Sequence, residues 1–218
     1  MAIPDLPLVC RIPATHLRSQ ANLMADGWRE IELFNILGRG FGKELFALDP
    51  HIRALREEDQ DKVLDIIRAA NWTSRLFRDA TVPRETAISH KCSVFELGVM
   101  NGAPIFVYDD GTRILGFVQM NKESIELIAS TRRGIGHKLL HRACWATMNG
   151  KFLYITAGTS NHDGKVEFYR RNGFTLWESF VTFHKWKDGA KPSLPSCKPD
   201  LAQKGSRRKP SARSLASR

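Results

Sequence analysis

The chain has 218 residues, 42% of them hydrophobic, and a formal net charge of +10. That is enough apolar material for one domain of ordinary size or two small ones, and no apolar run approaches the roughly 20 residues that a membrane-spanning helix needs. Nine Lys and Arg stand against two Asp between Lys187 and Arg218, so most of the excess charge sits in a tail, which argues against a folded nucleic-acid-binding patch.

The first residues lack a basic start followed by an apolar block, so we expect a soluble, cytoplasmic protein without a membrane anchor. "LVCRI" reads as a strand. "THLRSQANLMADGW" reads as a helix, with Leu17, Ala21 and Met24 at helical spacing and Gly27 near its end. "REIELFNIL" reads as a second strand. Residues 1–44 are therefore expected to form a small N-terminal β-α-β lobe. The spaced glycines of "LGRGFGKELF" cannot open a useful helix, because "ALDP" cuts it short; Gly38 to Gly42 read as an interlobe linker.

Residues 50–187 carry the larger domain. "HIRALREEDQDKVLDIIRAANW" is a strand running into a helix whose apolar face holds Val63, Leu64, Ile66 and Ile67. A helix is expected after Pro83. Alternating apolar runs flank Asp110-Gly111, a hairpin signal. "SIELIAS" is a strand, "GHKLLHRACWATMNG" a helix, "KFLYITAG" a buried strand and "DGKVEFYRRNGF" a helix stopped by Asn172-Gly173. "TLWESFVTFHKW" is the last strand. This order predicts a mixed α/β domain with antiparallel hairpins first and crossover helices later. Residues 188–218 are poor in apolar side chains and rich in Pro, Ser, Lys and Arg, so we expect a disordered basic tail. Cys10, Cys92, Cys144 and Cys197 form no close pair, so neither a disulfide framework nor a metal site is expected.

The stretch "STRRGIGHKLL" lies where a strand passes into a helix. The first N–H groups of a helix have no internal partner, and the helix dipole places partial positive charge there. Gly134 and Gly136 would let an anion approach the backbone, and Arg132, Arg133 and Lys138 add charge. The residues alone leave two readings, a pyrophosphate cradle or a plain connecting turn. A P-loop is absent, and Leu139 stands where a Rossmann fingerprint needs its third glycine.

In that context the chain resembles the Gcn5-related N-acetyltransferase (GNAT) superfamily, whose signature is Gln/Arg-x-x-Gly-x-Gly/Ala at such a turn. Thr131-Arg132-Arg133-Gly134-Ile135-Gly136 matches both glycines, with Thr131 in place of the usual Gln or Arg. Asn161 and "FYRRNGF" match later motifs of the family. "SRLFRD", "IELIAS" and "TFHKW" are similar to the dTDP-fucosamine acetyltransferase type within it.

The resemblance implies a GNAT-like twisted mixed sheet flanked by helices, and acetyl-CoA as co-substrate with no metal. It places Ile128, Ala129, Ser130, Arg133, Gly134, Ile135, Gly136, His137, Lys138 and Asn161 at acetyl-CoA. Tyr169 would be the general acid for the departing thiolate, against the plainer reading of a core tyrosine. Arg75, Phe77 and Arg78 fall on the acceptor side, where surface charge around a buried Phe77 is the plainer reading. No single base stands out among His162, His184, Glu126 and Glu96. The implied function is N-acetyl transfer to a small polar amine, a dTDP-linked amino-deoxysugar among the candidates. A protein or small-amine acceptor and a non-catalytic acyl-CoA-binding module stay open, as does a homodimer.

Overall fold

In the computed structural model, residues 6–42, 46, 48–161 and 164–187 are described. The tail from residue 188 and the candidate base His162 lie outside them. Eight strands form one sheet in the order β1-β8-β2-β7-β6-β5-β4-β3. The strands are β1 (Leu8–Pro13), β2 (Arg29–Gly40), β3 (Ile52–Ala54), β4 (Ile105–Asp109), β5 (Ile114–Asn121), β6 (Ser124–Ser130), β7 (Tyr154–Ser160) and β8 (Thr175–Lys185). The helices are α1 (Leu17–Ala25), α2 (Gln60–Ala69), the short α3 (Arg75–Arg78), α4 (Arg84–Met100), α5 (Ile135–Asn149) and α6 (Lys165–Arg171).

Burial follows the apolar pattern. Every residue of β5 except Asn121 is buried, as expected of a strand covered on both faces. Val63, Leu64, Ile66 and Ile67 of α2 pack with Phe95 of α4 and Phe117 of β5 on one side. Leu139, Leu140, Ala143 and Cys144 of α5 pack with Val118 and Ile155 on the other. The turn between β4 and β5 is held by Asp110, whose Oδ1 accepts from the N–H groups of Thr112 and Arg113, while Gly111 takes φ +89°. Among the described residues no helix is long and apolar enough to cross a membrane.

The N-terminal β-α-β piece is built into the common sheet. β2 lies between β7 and β8, antiparallel to both, and β1 extends the edge beyond β8. Gly38 and Gly40, read from sequence as linker, are residues of β2. The Trp177 indole occupies the space a Cβ at Gly38 would need, so that glycine admits a large neighbour on the sheet rather than a hinge.

One irregularity positions everything that follows. β6 and β7 run parallel but are in register only at Ser124–Thr156 and Ile125–Ala157. In the β5–β6 ladder, Gln119 pairs with Leu127 and Met120 with Ile125, so Glu126 is an extra residue, a bulge. A bulge bends its strand and raises its twist. Beyond it β6 stays on β5 as far as Ser130, whereas β7 follows β2 to the Phe34–Ser160 pair. The two parallel strands therefore part, and the sheet opens between them.

Candidate active site

The opening between β6 and β7 is the floor of a cleft of about 670 Å³. Ile128, Ala129 and Ser130 of β6 line it, as do Gly136 of α5 and Tyr169 of α6. Beyond the bulge, backbone groups of β6 that face away from β5 have no strand β7 to pair with. Such N–H groups can be satisfied by a ligand laid between the strands, or can hold a developing oxyanion.

The turn before α5 has the geometry of an anion site. Gly134 caps the helix in the left-handed region, at φ +90°, and a Cβ there would meet nothing within 4 Å. Its backbone thus faces open space at the positive end of a 15-residue helix. At Gly136 an added Cβ would make only ordinary contact, nearest the Phe168 ring at 3.6 Å, so packing does not demand glycine at that position. Ile135 is buried in the core and anchors the helix start, while Arg133 and His137 are exposed. Lys138 turns away to Asp49, Nζ to Oδ2 at 2.7 Å, with the Tyr108 ring 5.3 Å off. Burial opposes ionisation of Asp49, but hydrogen bonds from Lys138 and His51 outweigh it and hold the carboxyl at about 2.

Tyr169 is 5% exposed, with the rings of Phe168 and Phe174 edge-on at 5.2 and 5.3 Å. Burial pushes its phenol well above the ordinary value, so the hydroxyl keeps its proton at neutral pH. It is both a core residue and a cleft residue; the two readings offered by the sequence are compatible here.

The other expected residues divide. Arg75 of α3 lines the cleft. Phe77 packs outside it, near Leu76, Val82 and Trp186, and Arg78 reaches the Ile31 carbonyl at 3.4 Å from an exposed position. Asn161 is exposed, and its N–H donates to the Leu33 carbonyl at 2.9 Å; its side chain is not among those lining the cleft. Of the candidate bases, Glu126 lines the cleft at the bulge and Glu96 is exposed elsewhere on α4. His184 is 1% exposed and bound through Nδ1 to Asp79 at 2.7 Å, tying β8 to the segment after α3.

Several lining residues escaped the sequence reading, Glu32 and Lys91 among them. Glu32 of β2 sits between Ile31 and Leu33, where strict alternation places it outside. A register shift between Glu30 and Glu32 changes which side chains face inward, and Glu32 is 3% exposed. Lys91 lies mid-way along α4, with its Nζ 5.0 Å from the Trp72 ring. No local signal marked either residue, since β2 also carries Arg29, Glu30 and Arg39 and α4 also carries Arg84, Glu85 and Glu96.

A scan of the sequence against models of protein families finds no match, and a search of curated proteins finds none. Solved structures are similar. A GCN5-related N-acetyltransferase from Sphaerobacter thermophilus superposes with a TM-score of 0.58 at 14% identity, over 83% of this chain and 60% of that one. A functionally unknown conserved protein from Staphylococcus epidermidis gives 0.59 at 11%, over 83% and 72%. An acetyltransferase of the GNAT family from Colwellia psychrerythraea gives 0.56 at 14%, over 82% and 65%. The chain thus spans 60% of the length of the Sphaerobacter protein. At these identities the likeness is one of fold, and the fold is the mixed α/β fold of the GNAT acetyltransferases.

Proposed function

We propose that the chain is an acetyl-CoA-dependent N-acetyltransferase acting on an amino group of a small polar acceptor, with a dTDP-linked amino-deoxysugar among the candidate acceptors. The observation that carries this reading is the junction of three features in one region. These are the parting of β6 from β7, the open Gly134 turn at the head of α5, and a protonated, buried Tyr169 in the same cleft.

These residues fit acetyl-CoA. The backbone at Gly134 is open to solvent and strained for any residue with a Cβ, as a close pyrophosphate contact requires. Arg133 adds a guanidinium beside that turn, and Gly136 keeps the first helical turn slim. Thr131 does not extend this cradle, because it is tied to β5. Ile128, Ala129 and Ser130 would pair with the pantetheine amides as a missing strand would.

Acetyl-CoA supplies a thioester carbonyl and a thiolate leaving group. The chain's part is to hold, polarise and exchange protons. Unpaired N–H groups of β6 receive the oxygen on which negative charge develops. The Tyr169 hydroxyl donates a proton where the sulfur departs. Aromatic rings around Tyr169 keep that end of the cleft dry, which strengthens both interactions. Release of CoA thiol on mixing the protein with acetyl-CoA and amine acceptors tests the reading. Thiol release above the hydrolysis background supports it; a folded protein that binds acetyl-CoA but releases no thiol with any amine counts against turnover.

A further inference from the structure

The part of the cleft built by β1, β2, α3 and α4 holds charged side chains that act on one another without closing an ion pair. Glu32, Arg75 and Lys91 all line it. The Glu32 side chain is almost wholly buried, yet its Oε2 has no hydrogen-bond partner. The Nε of Arg75 is also buried without a partner. Among the described residues no carboxylate lies within ion-pair distance of Arg75 or Lys91.

Buried charge without a partner is costly and persists where a ligand supplies the counterpart. Burial pushes the Glu32 carboxyl up and holds the Lys91 ammonium at about 8. Arg11, Arg75, Lys91 and Lys165 outnumber the carboxylates Glu32 and Glu126 in this cleft, an excess of cations that calls for a ligand carrying an anion. We infer that the acceptor is a primary amine carrying its own anionic group, a carboxylate or a phosphate, with the nitrogen held at Glu32 and the anion held by Arg75 and Lys91. This rests on the acetyl-transfer reading of the cleft.

The chemistry balances. The acceptor ammonium gives one proton to Glu32 and so frees its lone pair. The N–C bond forms, the C–S bond breaks, and the thiolate takes the Tyr169 proton. The second nitrogen proton returns through solvent to the Tyr169 phenolate, leaving one net proton on Glu32 for release.

The test uses the full chain and matched amine pairs: ethanolamine phosphate with ethanolamine, glucosamine 6-phosphate with glucosamine, and β-alanine with β-alaninamide. Two readouts are taken, calorimetric binding to protein saturated with CoA and thiol release from acetyl-CoA. In at least one pair the anionic member should bind and turn over about 100-fold better than its partner, as expected of two charge-assisted contacts. Whether the phosphate or the carboxylate pairs show the larger ratio identifies the anion. Arg75→Gln and Lys91→Met should each remove most of that preference, and Glu32→Gln should weaken both members of a pair. Each replacement is close in size to the side chain it replaces and breaks no ion pair among the described residues, and CoA binding serves as the control for folding. Equal behaviour within every pair, or no binding of any anionic member to CoA-loaded protein, overturns the inference while the acetyl-transfer reading stands. Failure of the folded protein to bind CoA sinks both.

Discussion

Thr131 is tied twice to the carbonyl oxygen of Leu115, by its N–H at 2.9 Å and by its Oγ1 at 3.1 Å. The residue at the head of the glycine turn therefore faces its neighbouring strand, not the open space at Gly134. Thr131→Val keeps the shape and the backbone bond and removes the hydroxyl donor. It should lower stability by about 1 kcal/mol and leave acetyl-CoA affinity within about two-fold. Calorimetry alongside a thermal melt checks this; a ten-fold loss of affinity would mean that Thr131 reaches the ligand after all.

Tyr169→Phe should lower kcat by roughly 10²–10⁴-fold with little change in acetyl-CoA binding. The phenol forms no hydrogen bond within the described residues and its ring is retained, so the melting temperature should barely move. Equal kcat for parent and variant would return Tyr169 to a purely structural role.

Asp79 is the hub of a buried cluster. Its carboxylate accepts from His184 at 2.7 Å, from Arg29 at 2.8 Å and from Thr81. Asp79→Ala strands the fully buried His184 and should cost about 3–5 kcal/mol. Burial alone would raise the Asp79 carboxyl, but hydrogen bonds from His184 and Thr81 drive it well below the ordinary carboxylate range. A depressed carboxyl contributes stability that is present above the unfolded value and lost as pH falls through the folded one. The gap in melting temperature between parent and variant should thus be full at neutral pH and shrink below about pH 4.

Lys91 has the opposite sign. Burial lowers its ammonium from 10.5 to about 8. The cost of burying the charge is present below that value and relieved as pH rises from about 8 toward 10.5. Lys91→Met should therefore stabilise the fold at neutral pH, on the order of 1–2 kcal/mol, and the advantage should fade as pH rises through that window. Urea unfolding at several pH values reads it; a variant less stable than the parent at pH 7 contradicts this account of Lys91.

Much of this architecture was legible in the residues because apolar spacing and turn chemistry agree locally. The β4–β5 hairpin follows from Asp110-Gly111, and α5 from Leu139, Leu140 and Ala143. The glycine turn and Tyr169 were legible through motif and position. What local pattern could not provide was sheet order. β2 is inserted between β7 and β8, strands more than a hundred residues away, and Gly38 reads as a linker until Trp177 is seen against it. Glu32 was missed for the same reason, since a register shift in β2 decides its side of the sheet. Phe77 and Arg78 share a motif with Arg75, yet one turn of helix sends the three side chains to different surroundings.

The central claim is that the Gly134 turn cradles a pyrophosphate, and the most direct test is calorimetric titration of acetyl-CoA into the parent and into Gly134→Glu. The variant places a carboxylate at the helix head and a Cβ at φ +90°, with no packing clash because nothing lies within 4 Å. Strain of about 1–2 kcal/mol is expected there, which a melt will report separately from binding. Binding by the parent near the micromolar range, about −8 kcal/mol, and none by the folded variant is the predicted result. A folded parent that does not bind acetyl-CoA, or a variant that binds it equally well, would contradict the claim.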